Sequence, residues 1–235
     1  MALNNIRILV CNVLLISAIY SHEKVLAQKV QATKRMPTIE SRATGNSDYY
    51  VILLSGNGGW RNLVQSLTRY LHLKNISVVG INTKKYLWTE KKPAQIGKDL
   101  ETLMDQYDQK WGRRKIVFIG FSMGAEVLPF AVNRMGKKYK DQIADLILIG
   151  PWQKATFKVK LRDYYIEVNK GADIYNELLQ LETKKGYIIC DNNQFSICHK
   201  NLDGVIDHDL LGGGHHFGGK YLALSRLIGK RLKLE

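Results

Sequence analysis

Between the apolar run Lys115 to Ile119 and the helix-like Ala125-Glu126-Val127-Leu128 stands Gly120-Phe121-Ser122-Met123-Gly124. Glycine, serine and glycine at alternate positions, where a strand gives way to a helix, form the pattern of a nucleophile elbow. This stretch constrains the fold more than any other, because a strand must end, the chain must reverse, and a helix must begin within five residues. The serine then sits on a strained turn with its hydroxyl above the sheet. The flanking glycines let neighbouring backbone approach where a Cβ would collide. The pentapeptide alone is common; its place between a β-branched strand and an amphipathic helix gives it weight.

The same rhythm recurs on both sides. Tyr49 to Leu54 is short, apolar and rich in β-formers, and reads as the first clear strand. A helix from Leu63 to Leu73 puts Leu63, Leu67, Tyr70 and Leu71 on one face, with Asn62 as its expected cap. Strand Ile76 to Ile81 follows, then a loop from Asn82 to Trp88 at the same edge of the sheet. Pro93 suits the first turn of a long helix ending near Trp111-Gly112, with a stripe of Ile96, Leu100, Leu103, Met104 and Tyr107. The helix after Ser122 is expected to run to Met135-Gly136 with a kink at Pro129. Further strands are expected at Ala144 to Ile149, Tyr187 to Cys190 and Val205 to Leu211, with an edge strand at Phe157 to Leu161. Helices are expected at Asp173 to Leu181 and Tyr221 to Leu232. Strands and helices alternating in this way imply right-handed crossovers and a mostly parallel central sheet with helices on both faces.

Two further loops carry chemistry. Ser55-Gly56-Asn57-Gly58-Gly59-Trp60 closes the first strand, where glycine-rich backbone can aim N–H groups into a cleft as an oxyanion hole requires; an ordinary tight turn is the alternative. Gly212-Gly213-Gly214-His215-His216-Phe217 precedes the last helix. A glycine loop after an early strand, then the serine elbow, then a histidine loop is the chain order of an α/β-hydrolase fold with a minimal lid.

The 235 residues, 45% apolar, suffice for one core, placed at 48–235, with 28–47 as a linker or edge segment. Residues 1–27 have the layout of a secretory signal: Arg7, the apolar run Ile8 to Tyr20, and small residues before a cut after Ala27. An uncleaved anchor or a buried first helix is the alternative. Cys190 and Cys198 would then face an oxidising compartment and could close a short disulfide loop, or remain a pair of buried thiols. The formal charge of +14 favours polyanions or anionic membrane surfaces, with an ordinary solvated basic surface as the alternative that accounts for most of the lysines. No DNA- or RNA-binding signature accompanies it, so nucleic acid is not an expected partner. No cofactor is expected, since there is neither a Walker loop nor a dinucleotide fingerprint, and no spaced Cys/His cluster suggests a metal.

Four stretches resemble a known family: Ser55 to Arg61; Val79-Gly80-Ile81 with Tyr86-Leu87-Trp88; Gly120 to Phe130; and Gly213 to Phe217. They are similar to the VirJ/AcvB bacterial virulence proteins, from about Tyr49 to the C-terminus. The resemblance implies an α/β-hydrolase fold in the periplasm, hydrolysis of aminoacyl-phosphatidylglycerol such as the lysyl lipid, and a link to virulence-associated secretion, with a secretion-system protein as a partner. The chain departs from the family pattern at Asn57, where an acid is usual, and in Cys190 to Phe195, where the usual acid position holds Asn193.

On this reading Ser122 is the nucleophile and His215 the general base, with Asp191 as the acid and Asp203 and Asp207 in reserve. His215 is preferred to His216 because, by resemblance to other hydrolases, a Gly-His-x-Phe loop presents its first histidine. The backbone N–H groups of Met123 and Asn57 form the oxyanion hole. Gly58, Trp60, Tyr86, Trp88, Glu126 and His216 are expected around the substrate. Glu126 either attracts a cationic headgroup or makes a local ion pair. The competing expectation, favoured by the altered acid segment, is a non-catalytic secretion adaptor that keeps the fold as a binding surface.

Overall fold

The computed structural model describes residues 36–45, 47–112, 115–159, 171–182 and 186–234, and Met36–Glu235 forms one compact unit. The signal reading of 1–27 lies outside the described residues, as does the first part of 28–47.

In chain order the elements are β1 (Thr38–Ser41), β2 (Tyr49–Leu54), α1 (Asn62–Leu73), β3 (Val78–Ile81), α2 (Thr83–Tyr86) and α3 (Pro93–Trp111). Next come β4 (Lys115–Phe121), α4 (Met123–Asn133), α5 (Lys137–Lys140), β5 (Ile143–Ile149), β6 (Lys154–Ala155), β7 (Ala172–Asp173) and α6 (Ile174–Leu178). The chain ends with β8 (Tyr187–Cys190), β9 (Asp207–Leu210) and α7 (Tyr221–Arg231). Seven strands pair in the order β1-β3-β2-β4-β5-β8-β9, all parallel except β1 on β3. From β2 the chain steps outward to β3, returns across β2 to β4, then proceeds the other way. The reversal puts a crevice between the carboxyl ends of β2 and β4, where open parallel sheets bind ligands. The glycine turn follows β2 and Ser122 follows β4.

Alternate residues of the central strands serve two cores. Tyr50, Ile52, Leu54, Ile116 and Phe118 pack with α3 and α4, whereas Val51, Leu53, Val117 and Ile119 pack with α1 and α7. Both faces are apolar, as buried parallel strands require, so hydrophobicity alone does not choose between them. Tyr50 does, because its hydroxyl donates to Asp108 Oδ1 of α3 at 3.1 Å. The closing helix is tied to the sheet by Arg231, which donates to Asp145 Oδ2 of β5 at 2.7 Å and to Asp207 Oδ2 of β9 at 2.8 Å. Asp145 is buried. These ion pairs fasten α7, and with it the histidine loop leading into it, to β5 and β9.

Several boundaries differ from the sequence expectation. Asn62 does not cap α1: it is the first helical residue, and Arg61 occupies the cap position without a side-chain bond. Loop Asn82 to Trp88 contains α2, which Asn82 caps by accepting the Lys85 N–H at 3.2 Å. Phe157 to Val159 is not a strand. Its Phe157 carbonyl accepts the Lys91 N–H, its Val159 N–H donates to Leu87, and the Phe157 ring meets Phe130 edge-on at 5.2 Å. Lys160 and Leu161 lie outside the described residues. Pro129 lies within α4, which ends at Asn133 rather than Gly136.

Candidate active site

Ser122 adopts φ 53°, ψ −124°, a left-handed setting unusual for a residue with a side chain. Such backbone costs about 1–3 kcal/mol and persists only where its surroundings enforce it. Here they do: the Ser122 N–H donates to the Ile149 carbonyl of β5 at 2.9 Å, and its own carbonyl accepts the Glu126 N–H at 2.9 Å. A Cβ on Gly120 would lie 2.5 Å from the Ala125 nitrogen, and one on Gly124 would lie 2.5 Å from the Leu54 carbonyl oxygen. Both glycines therefore let α4 start directly against β4 and the end of β2.

The His215 loop is shaped by left-handed glycines, Gly213 at φ 113° and Gly214 at φ 67°. Phe217, fully buried in the core beside α1 and α7, anchors it. Gly214 N–H donates to Asn192 Oδ1 at 2.7 Å, fastening this loop to the one that carries Asp191. His215 Nε2 stands 2.8 Å from Ser122 Oγ, and His215 Nδ1 stands 2.6 Å from Asp191 Oδ2. A carboxylate can only accept, so the proton on Nδ1 goes to Asp191 and Nε2 is left to accept from the serine hydroxyl. The ring of Phe121 stacks on His215 at 5.4 Å and that of Trp152 flanks it at the same separation. Gly150, at φ 54°, makes room: a Cβ there would lie 3.2 Å from Asp191 Oδ2 and 3.5 Å from His215 Nδ1.

The glycine turn covers Ser122 from the other side. Gly59 N–H donates to the Gly56 carbonyl at 3.0 Å, so Asn57 and Gly58 are the central residues of a tight turn and their N–H groups are not used to close it. A Cβ on Gly56 would lie 3.1 Å from that of Ser122. The buried Ser55 hydroxyl accepts the Thr83 N–H at 3.0 Å and pins the turn to α2. Met123 is the first residue of α4, and its N–H has no acceptor within the helix. Gly56, Asn57, Gly58, Ser122, His215 and His216 all line one cleft of about 280 Å³.

Most of the other expected site residues lie elsewhere. Tyr86 is buried and donates to Asp99 Oδ2 at 2.7 Å, out of reach of a ligand; burial and that carboxylate push its hydroxyl pKa up. Glu126 is 2% exposed and does not line the cleft. Burial, offset in part by the Trp152 N–H it accepts, pushes its pKa up to about 8. It makes no ion pair among the described residues. Its Oε1 has no hydrogen-bond partner among them. Trp60 and Trp88 line a neighbouring depression instead. His216 lines the cleft with its pKa lowered, first by burial and then by His215. Asp203 and Asp207 line a different cavity, and Asn193 accepts the Phe195 N–H in its own turn. Cys190 and Cys198 form a disulfide that closes the Asp191 loop. Gly150, Asn192, Phe121 and Trp152 had no role in the sequence reading. Only Gly150 carried a visible signal, as the glycine of Gly150-Pro151-Trp152 at a strand end.

A mostly parallel sheet with a serine on the strand-to-helix elbow, and a histidine loop before the last helix, define an α/β-hydrolase fold. Solved structures share it at low identity. Est1E from Butyrivibrio proteoclasticus superposes with a TM-score of 0.58 at 12% identity, over 83% of this chain and 94% of that one. The enol-lactonase from Burkholderia xenovorans LB400 gives 0.62 at 11%, over 84% and 96%. The esterase Pf2001 of Pyrococcus furiosus gives 0.57 at 14%, over 84% and 91%. The sequence matches none of the curated proteins. Residues 48–234 match the profile of the bacterial virulence protein (VirJ) family, and the chain belongs to that family.

Proposed function

We propose that this protein is a serine hydrolase that cleaves a carboxylic ester, with aminoacyl-phosphatidylglycerol as the substrate class, and that it works in the periplasm in support of virulence-associated secretion. The observation that carries the reading is the chain of short contacts from Ser122 Oγ through His215 to Asp191. His215 Nε2 takes the hydroxyl proton as Oγ attacks the ester carbonyl, and Asp191 steadies the imidazolium. The carbonyl oxygen, now negative, is held by the N–H groups of Met123 and Asn57; losing one such donor typically costs about 100- to 1000-fold in rate. His215 then passes the proton to the glycerol oxygen as the ester C–O bond breaks. Water, activated by the same imidazole, releases the aminoacyl group from Ser122.

The adaptor reading draws on the altered acid segment; Asp191, 2.6 Å from His215 Nδ1, supports the hydrolase reading over it. A charge of +14 and an amino-acid ester on an anionic lipid fit a protein held against a membrane surface. Among the described residues no helix is long and apolar enough to cross a membrane. A fluorophosphonate probe tests the serine: wild type should label and Ser122→Ala should not. Thin-layer analysis of lipids incubated with each protein tests the substrate. An unlabelled wild type refutes the hydrolase reading, whereas a labelled protein that leaves aminoacyl-phosphatidylglycerol intact refutes the lipid assignment alone.

A further inference from the structure

The glycine turn that borders the cleft over Ser122 also borders a second concavity. Gly58, Gly59 and Arg61 line both the cleft and this larger depression of about 610 Å³, so the two concavities adjoin at that turn. Arg61, Lys84 and Lys85 bring three positive charges to this depression, and no carboxylate lines it. None of the three is ion-paired among the described residues. Like charges gathered around one concavity repel each other and focus a positive potential into it, which draws in an anion.

The walls are held in place. Asn82 accepts the Lys85 N–H at 3.2 Å and lies against Gly59, where a Cβ would be 3.3 Å from its Oδ1. The Trp60 ring lies across Gly80 of β3, where any Cβ would overlap it. Trp88 stands at the rim, 54% exposed. Equally informative is the chemistry the pair of cavities lacks. No carboxylate lines the cleft over Ser122, and Glu126 is buried away from it, so a cationic aminoacyl group finds no counter-charge at either lining.

We propose that the depression around Arg61, Lys84 and Lys85 is the subsite for a phosphate carried on the alcohol side of the scissile ester, so that selectivity comes from that anion and not from the amino acid. This rests on the ester-hydrolase reading above and names the part of the substrate that is recognised. The ester enters the cleft over Ser122 while the phosphodiester crosses the glycine turn into the basic depression. A lipid headgroup and a soluble phosphate ester share this chemistry.

The test compares kcat/KM for lysyl-glycerophosphoglycerol with that for lysyl-glycerol, which carries the same acyl group without phosphate, in wild type and in Lys84→Gln/Lys85→Gln. The ratio should fall by about 10- to 100-fold in the double variant, the scale of losing charge-assisted hydrogen bonds to a phosphate. The diacyl lipid in vesicles should show at least the same fall. A fall seen only in vesicles overturns the subsite, because the lysines would then be attracting the membrane. Wild type should also turn over the lysyl and alanyl headgroups within about threefold of one another, and a lysyl preference of tenfold or more overturns the proposal. Fluorophosphonate labelling and p-nitrophenyl butyrate turnover separate the two levels. If wild type shows neither, the hydrolase reading fails; if it shows both and the ratio does not move, the phosphate subsite alone fails.

Discussion

Reducing the Cys190–Cys198 bond should weaken the fold by an amount that the loop it closes sets. The cysteines are separated by 8 residues. The chain-entropy relation for a loop of that size gives about 2.5 kcal/mol at 25 °C. In a domain of this length that corresponds to a drop of about 5–10 °C in Tm. The folded arrangement should nonetheless survive, because the loop keeps other attachments. Ile197 is buried and its N–H donates to the Pro151 carbonyl at 3.1 Å, while Gln153 N–H donates to the Phe195 carbonyl at 3.0 Å. Urea unfolding of the same protein with and without reductant, followed by tryptophan fluorescence, isolates the bond from any change of sequence. Thiol titration should rise by two on reduction. An unchanged midpoint after complete reduction would refute the reasoning. So would a reduced protein that is unfolded without denaturant, because the remaining contacts would then be holding nothing.

Two other substitutions probe the site. Asp191→Asn leaves His215 Nδ1 without a carboxylate acceptor, and kcat should drop by about 10³- to 10⁴-fold with little change in KM for a small neutral ester; a loss under tenfold would remove Asp191 from the relay. Glu126, with its pKa raised from 4.5 to about 8, keeps a proton in the folded state that the unfolded chain releases. The wild type should therefore lose stability as pH rises from about 4.5 to about 8, while Glu126→Gln does not lose that increment. Tm measured against pH for both proteins checks this, and parallel curves would contradict it.

How far the residues alone lead depends on what kind of information each position needs. Ser122, Asp191 and His215 each sit at a place that local pattern defines: a strand end, or a glycine loop before a helix. The elbow was legible because its glycines and flanking apolar runs are contiguous. Tyr86 and Glu126 were misplaced because periodicity locates a residue on an element but not the direction of its side chain. Tyr86 turns into α3 to reach Asp99, and Glu126 sinks under the first turn of α4. Phe157 to Val159 alternates like a strand yet bonds to Leu87 and Lys91, a pairing across distant sequence that no window reveals. The basic depression was hidden for the same reason, since Arg61 and the two lysines come from separate connections after β2 and β3.

One edge strand, β9, is four residues long and exposed throughout, and it presents Asp207 and Asp209 on that margin. Asp207 is already engaged by Arg231 and Asp209 by the hydroxyl of Tyr187. A stray strand arriving there would find little ladder to extend and would have to strip water from two carboxylates already committed elsewhere. Charged, abbreviated rims of this kind guard a sheet against growing from one molecule into the next. Concentrated solutions of the protein should accordingly stay free of sheet-to-sheet fusion along that border.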